Sequence, residues 1–485
     1  MLNQLSNLLF KNHTFSQIII KNSMWGYFSN IVSKVLKVGL MITIGRIMGP
    51  EQFGDFSYVI IFSALCFSLS DVGINALIIR EWQQTQNSNK ELITSGIIIK
   101  AILILINTIV AIICAFQIDQ TLFAAFLIFV NMNIIDSVKH FYVAVAQANL
   151  RNEFEAISFI IETTVTSILG IIFVFVFKNI ISLAIAYFTG SLLAAIYIHV
   201  KTIRFILPIR KPNKKHIIKL TKMMWPFILS SFLAIAFTSS DTLMIKWMIG
   251  AKALGLYQSG LKLVEVIIII PTILAGSIYP FAAKFKHNIH KFSGLIKTST
   301  NAMLMIGLPI LGGGILLSSQ ILILIFSNKF LEGTHIFKYL QVTGFLSFFN
   351  LIFSNSLIAA KHENKIVKLN SFIFILNIIF NLIFIPTFGV IGAVIGSVTG
   401  SFFNFIILTF LFYKLFKIMP FNLQDTLRYI FCTTIMIVSI LIAQEYFSNV
   451  LLLIMFGALN YIIVLYLIND PIIRKIKNNI KPPIK

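Results

Sequence analysis

Apolar residues in this chain arrive in runs of about 20, the length a helix needs to cross a hydrocarbon core roughly 30 Å thick. The runs are separated by short polar, Gly or Pro punctuation. Breaking the chain there places six spans near 25–47, 56–79, 93–116, 121–146, 156–177 and 180–200. A basic stretch follows, and eight more spans lie near 223–248, 255–283, 298–318, 337–360, 369–385, 389–413, 429–443 and 450–468. The pattern predicts an all-α membrane protein with about fourteen transmembrane helices.

Composition agrees and narrows the picture. Hydrophobic residues make up 58% of the chain and charged residues 12%, with a mean hydropathy of +0.91, against roughly 25% charged residues in a soluble globular chain. No water-soluble core absorbs that much apolar surface. The formal charge of +22 would suit nucleic acid only on a soluble basic face, and here Lys and Arg cluster between apolar runs, so no nucleic-acid partner is expected. Cys66, Cys114 and Cys432 each fall inside a hydrophobic run, too far apart for a metal motif or disulfide framework. No metal and no cofactor is expected. The first 22 residues lack a short apolar core followed by a small-residue cleavage site, so the first span is expected to be retained.

Charge then orients the spans. With the amino terminus in the cytoplasm, Lys178, Lys252 and Lys329 are the basic residues on the periplasmic side, eight of the 39 Lys and Arg lie within spans, and the other 28 are cytoplasmic. The positive-inside rule therefore puts both termini in the cytoplasm. The largest contribution is the stretch 201–222, with eight basic residues and no acid beside Pro208 and Pro212. Its charge is accounted for as a stop signal near anionic headgroups.

The two sides of that stretch look like repeats of one another at an offset near 200 residues. Met24-Trp25, Gly49, Gly54 and Phe56 recur as Met224-Trp225, Gly250, Gly255 and Tyr257. The segment 148–160 parallels 361–373, and Thr189-Gly190-Ser191 parallels Thr399-Gly400-Ser401. The expected organisation is a cytoplasmic segment 1–24, an amino-terminal lobe 25–200, a basic linker 201–222, a carboxy-terminal lobe 223–413, two further helices within 429–468, and a basic tail 469–485. A six-plus-six parallel duplication of this kind puts a substrate path between two lobes in many carriers.

The stretch Gly45 to Glu81 contains Gly49-Pro50-Glu51, Phe53-Gly54, Asp71, Gly73 and Arg80. In the second lobe stand Asp241, Gly255-Leu256-Tyr257, Tyr279-Pro280 and the segment 385–396. On these residues the chain resembles the polysaccharide flippases of the multidrug/oligosaccharidyl-lipid/polysaccharide exporter superfamily, the Wzx type that moves O-antigen or capsule repeat units. One departure is Ser327, where that family often has Gly after a Phe. The resemblance implies two pseudo-symmetric six-helix lobes around a central cavity, two extra helices forming a lipid-facing groove, and a bacterial inner-membrane location. It further implies movement of undecaprenyl-diphosphate-linked oligosaccharide by alternating access in surface polysaccharide (lipopolysaccharide or capsule) biosynthesis, with a glycan polymerase and a chain-length regulator as candidate partners beside membrane lipid. A lipid II flippase and a drug/cation antiporter of the same superfamily stay open as alternatives. A membrane glycan polymerase or ligase usually carries a sizeable periplasmic loop with catalytic groups. The longest such connection here, 319–336, is short and largely apolar, so a non-enzymatic protein is expected.

Charges inside spans are the candidates for transport, because an ionised side chain near a bilayer centre costs at least about 2.5–3.5 kcal/mol and needs a partner, a wet cavity or a route to the headgroups. Lys34, Lys37, Lys100, Lys139 and Lys262 are the candidate substrate-binding cations for a diphosphate headgroup. Asp71, Asp136, His140, Glu162, Asp241 and Glu265 are candidates for counter-ions or for coupling to H+ or Na+. Lys34 and Lys37 share one helical face, as do Asp136, Lys139 and His140. Each Lys also lies close enough to a span end to snorkel, and for each acid a static pair with a nearby Lys is favoured over ion coupling. Lys246 and Lys338 complete the charged positions in the second lobe. Gly312-Gly313-Gly314 lacks the flanking residues of a phosphate loop and reads as a close-packing site.

Overall fold

Within hydrocarbon every backbone N–H and C=O must be satisfied inside its own segment, which leaves helices for chains of this pattern. The computed structural model describes residues 15–68, 73–84, 90–206, 214–417, 419–472 and 474, and no strand occurs among them. Eleven of the described helices are long and apolar enough to cross a membrane. The remaining expected spans, the first, second and seventh, lie outside those eleven. By packing the chain divides into two units, Met1–Gly255 and Leu256–Lys485.

In the first unit run α1 (Phe15–Phe67), α2 (Ile74–Gln84), α3 (Lys90–Ala115), α4 (Gln120–Ala148), α5 (Asn152–Val176), α6 (Ile180–Ile206) and α7 (Lys214–Met248). Helix α1 is two helices joined at Gly49, whose φ of 82° and ψ of 177° suit glycine alone. Pro50 follows, its fixed φ and missing N–H matching the start of a helix. The second span, expected as one helix over 56–79, is broken: α1 ends at Phe67 and α2 begins after Gly73, which has a φ of 79°. Helix α2 is amphipathic, burying Ile74, Leu77, Ile78 and Trp82 at helical spacing against Ile93, Phe141 and Met224. Helix α1 packs on α4 and α5, α6 covers both of those, and α7 lies on α1 and α3. The residues 207–213 at the centre of the basic stretch lie outside the described residues.

The second unit holds most of α8 (Ala251–Phe285), then α9 (Ile289–Leu316), the short α10 (Ser318–Ile325), a 3-10 turn (Asn328–Gly333), α11 (Thr334–Ala359), α12 (Glu363–Phe388), α13 (Val390–Phe416), α14 (Leu423–Gln444) and α15 (Val450–Leu467). Its core is aromatic. Phe353 sits 5.2 Å from Phe412, which stacks on Phe292 at 6.3 Å with an interplanar angle of 4°. With lipid outside as apolar as the core, such packing and small-residue approach replace the hydrophobic effect in joining helices. The triple glycine serves that end twice: Gly312 faces Thr433 and Ile437 of α14, and Gly314 faces Gln341 of α11. Ser327 keeps the backbone a glycine would take, with φ 113° and ψ 172°.

Candidate substrate site

Four helices of the first unit converge on one buried ammonium. Lys139 of α4 is 2% exposed, and its Nζ lies 2.5 Å from Asp136 Oδ1, one turn back on the same helix, and 2.5 Å from Glu162 Oε2 on α5. From α6, Ser191 Oγ donates to the same Asp136 oxygen at 2.5 Å. The neighbouring Gly190 explains how α6 comes so near, since a Cβ there would strike the Thr166 hydroxyl and the backbone carbonyl of Glu162. From α1, Lys37 Nζ approaches the other Glu162 oxygen at 3.9 Å with its side chain 48% exposed. Two carboxylates thus face two ammonium groups, one sealed in and one half in the open.

The surroundings hold that arrangement in place. Ser33 of α1 and Thr163 of α5 share a hydrogen bond at 3.2 Å, and Gly170 of α5 seats Leu40 of α1. The Phe159 ring lies 5.8 Å from the Lys139 ammonium and 6.4 Å from the His140 ring. A cation so enclosed is stable only because both acids stay with it, and taking either away leaves an uncompensated buried charge. Lys34 is exposed and, three residues before Lys37, shares its face of α1. Through Glu162, Lys37 thus links the exposed face of α1 to the buried Lys139.

The family whose description reads polysaccharide biosynthesis protein matches residues 19–286, more than half of the chain and all of this cluster. The chain belongs to the polysaccharide biosynthesis protein family. Among solved structures, the fold of this polysaccharide biosynthesis protein is similar to a lipid II flippase, MurJ, in an inward closed conformation, with 17% identity, 94% of this chain and 100% of that one covered, and a TM-score of 0.78. An inward-facing multidrug resistance transporter of the MATE family, in the MOP superfamily, matches with 18% identity over 79% of this chain and 96% of that one, at a TM-score of 0.60. An outward-facing member of that family matches at 14% identity, over 85% and 97%, with a TM-score of 0.55. At identities this low the matches establish the fold. No curated protein sequence matches the chain.

Of the residues singled out from sequence, Lys37, Asp136, Lys139 and Glu162 are brought together, with Lys34 beside them and His140 one residue along. Lys100 is buried on α3, and Asp241 is half-buried on α7. Lys262 and Glu265 pair with each other along α8, at 2.9 Å to both carboxylate oxygens. Asp71 lies outside the described residues.

Sequence reasoning missed four partners in this polysaccharide biosynthesis protein. Ser191 was visible as part of a repeated Thr-Gly-Ser, but its hydroxyl role has no sequence signal. Lys21 and Glu153 form a fully buried pair at 3.0 Å between α1 and α5, and Asp55 receives Lys246 at 2.6 Å. Both pairs link positions more than a hundred residues apart, and every one of their members lies outside or at the edge of an apolar run.

Proposed function

We propose that this chain flips undecaprenyl-diphosphate-linked oligosaccharide from the cytoplasmic to the periplasmic leaflet of a bacterial inner membrane, by alternating access, for surface polysaccharide such as O-antigen or capsule. The observation that carries the reading is Lys37 with Lys34 on one open face of α1, backed by a closed acid–lysine network. Lys37 is held loosely enough to exchange Glu162 for a phosphate oxygen, and in a low-dielectric cavity that attraction is strong. The lipid tail stays in the membrane while the headgroup binds. Lys100 and Lys262 are secondary contacts for the same headgroup. Among the acids, Asp136 and Glu162 first, then Asp71, Asp241, Glu265 and His140, are the positions for H+ or Na+ coupling. The two lobes, 25–200 and 223–413, rock about the stretch 201–222, with both termini cytoplasmic.

A second reading is favoured by the fold likeness to a lipid II flippase, whose name specifies another lipid-linked substrate. The experiment that separates them deletes the gene in its host and analyses surface polysaccharide and lipid-linked intermediates, complementing with wild type or with Lys34 and Lys37 both changed to Ala. Loss of surface glycan with complete repeat units accumulating on the cytoplasmic face, unrescued by a normally expressed double variant, is the expected result. Unchanged glycan pools with accumulated lipid II would favour the peptidoglycan precursor, and unchanged pools of both would overturn the flippase reading.

A further inference from the structure

Gly49 and Gly250 both have positive φ, 82° and 126°, and each is followed five residues later by a second glycine, Gly54 and Gly255. These two hairpins meet. A Cβ on Gly54 would run into the carbonyl of Ala251, the residue after Gly250, and a Cβ on Gly255 would run into the carbonyl of Pro50, the residue after Gly49. The same position of each hairpin thus abuts the same position of the other, the reciprocity of a two-fold interface, here written within one chain. Around the contact, Lys246 Nζ donates to Asp55 Oδ1 at 2.6 Å, stands 3.8 Å from Asp119 Oδ2, and lies 5.6 Å from the Tyr58 ring centroid. Trp247 Nε1 donates to the Tyr58 hydroxyl at 3.1 Å.

Backbone against backbone is as tight as two chain segments can pack, leaving no width for a solute. At Gly54 and Gly255 themselves no side chain stands between the backbones, so little dispersion is lost there on parting. At its margin stand the charge-assisted Lys246–Asp55 hydrogen bond with the longer Lys246–Asp119 approach, the neutral Trp247–Tyr58 hydrogen bond, and an edge-on contact of the Trp247 ring with Phe62 at 6.2 Å. A contact that seals completely and separates with few bonds broken suits an element that must do both in every cycle.

We propose that this glycine seam is a releasable latch across the periplasmic mouth of the transport path, closed here and fastened by Lys246 and Asp55. The inference rests on the alternating-access reading and its topology, and its test needs no knowledge of the substrate. In a chain with Cys66, Cys114 and Cys432 replaced by Ala, Ser57→Cys places a thiol on α1 one turn beyond Gly54, at a position that is 4% exposed. Its labelling by a membrane-impermeant maleimide is followed in right-side-out vesicles. Slow labelling is expected in the parent, about tenfold faster labelling in Lys246→Gln and in the isosteric Asp55→Asn, and slow labelling again when Lys246→Asp and Asp55→Lys are combined. Gly255→Ala, which puts a methyl group into the seam, should label fast as well. Equal rates in the parent, Lys246→Gln and Asp55→Asn, with all three eluting as monodisperse protein, would overturn the latch. Rates that shift as expected while surface glycan and lipid pools stay normal on gene deletion would keep the latch and discard the polysaccharide flippase.

Discussion

The two units solve the problem of lipid in opposite ways. The first spends its interior on charge: Lys139 with Asp136 and Glu162, Lys21 with Glu153, and Lys246 with Asp55 are all wholly or largely withdrawn from solvent. The second is packed with phenylalanine, Phe292, Phe349, Phe353, Phe405 and Phe412 touching in series. Its pairs sit at the margins, Lys262 with Glu265 half in the open and Arg428 between Asp425 and Asp470 at the start of α14 and the end of α15. An apolar aromatic core is sufficient for stability in a membrane. Buried ion pairs add cost without adding stability over an apolar equivalent, so their concentration in one unit calls for a reason other than stability.

The strongest way to break that contrast is to remove the central cation. Lys139→Met should destabilise the protein by about 3–5 kcal/mol, because Asp136 and Glu162 are left facing each other without it. The thermal midpoint of the detergent-purified protein measures this. Combining it with Asp136→Asn and Glu162→Gln should restore most of the loss while abolishing transport. A single Met variant as stable as the parent would mean that water reaches the network and that the first unit is no more strained than the second.

A smaller effect probes the second unit, where strain resides in the backbone instead of in charge. Ser327 sits at φ 113° and ψ 172°, a region essentially reserved for glycine that costs other residues of order 1–3 kcal/mol, and its hydroxyl is buried without a hydrogen-bond partner. Ser327→Gly should raise stability by about 1 kcal/mol, the released strain being partly offset by the greater freedom of glycine in the unfolded chain. The same thermal measurement applies, and transport should be unaffected. A lowered midpoint would mean that the serine makes a contact worth more than the strain.

That turn shows what could be read from the sequence. The family resemblance marked position 327 as one where glycine often stands, and the backbone keeps the glycine conformation under a serine. Span order and the all-helical fold followed from hydrophobic run length, since lipid leaves a helix few alternatives. Gly49 and Gly250, read from the sequence as counterparts, both take positive φ. Hidden from the sequence was the end of α1 at Phe67, inside a stretch read as a single span. Also hidden were the partners themselves. Asp136 and Lys139 advertise their pairing by helical spacing, whereas Glu162, Ser191 and Lys37 join them from other helices through close approaches that depend on Gly190 and Gly170. Asp55 falls between the expected first and second spans, where a charge needs no explanation until Lys246 is seen beside it.

The smallest stability effect carries the sharpest functional test. Lys37 is half-exposed and 3.9 Å from Glu162, so the pair is worth no more than about 1 kcal/mol and Lys37→Gln should leave the thermal midpoint nearly unchanged. Glu162 keeps Lys139, so no acid is orphaned. If Lys37 is the detachable cation that receives a phosphate, the same variant should nevertheless lose most surface polysaccharide, while Lys37→Arg, which offers phosphate a planar fork of donors, should retain it. Export by Lys37→Gln at the level of the parent would mean that this lysine only reaches for the headgroup region. The charge concentrated in the first unit would then be structural, and the contrast with the aromatic unit would be one of construction alone.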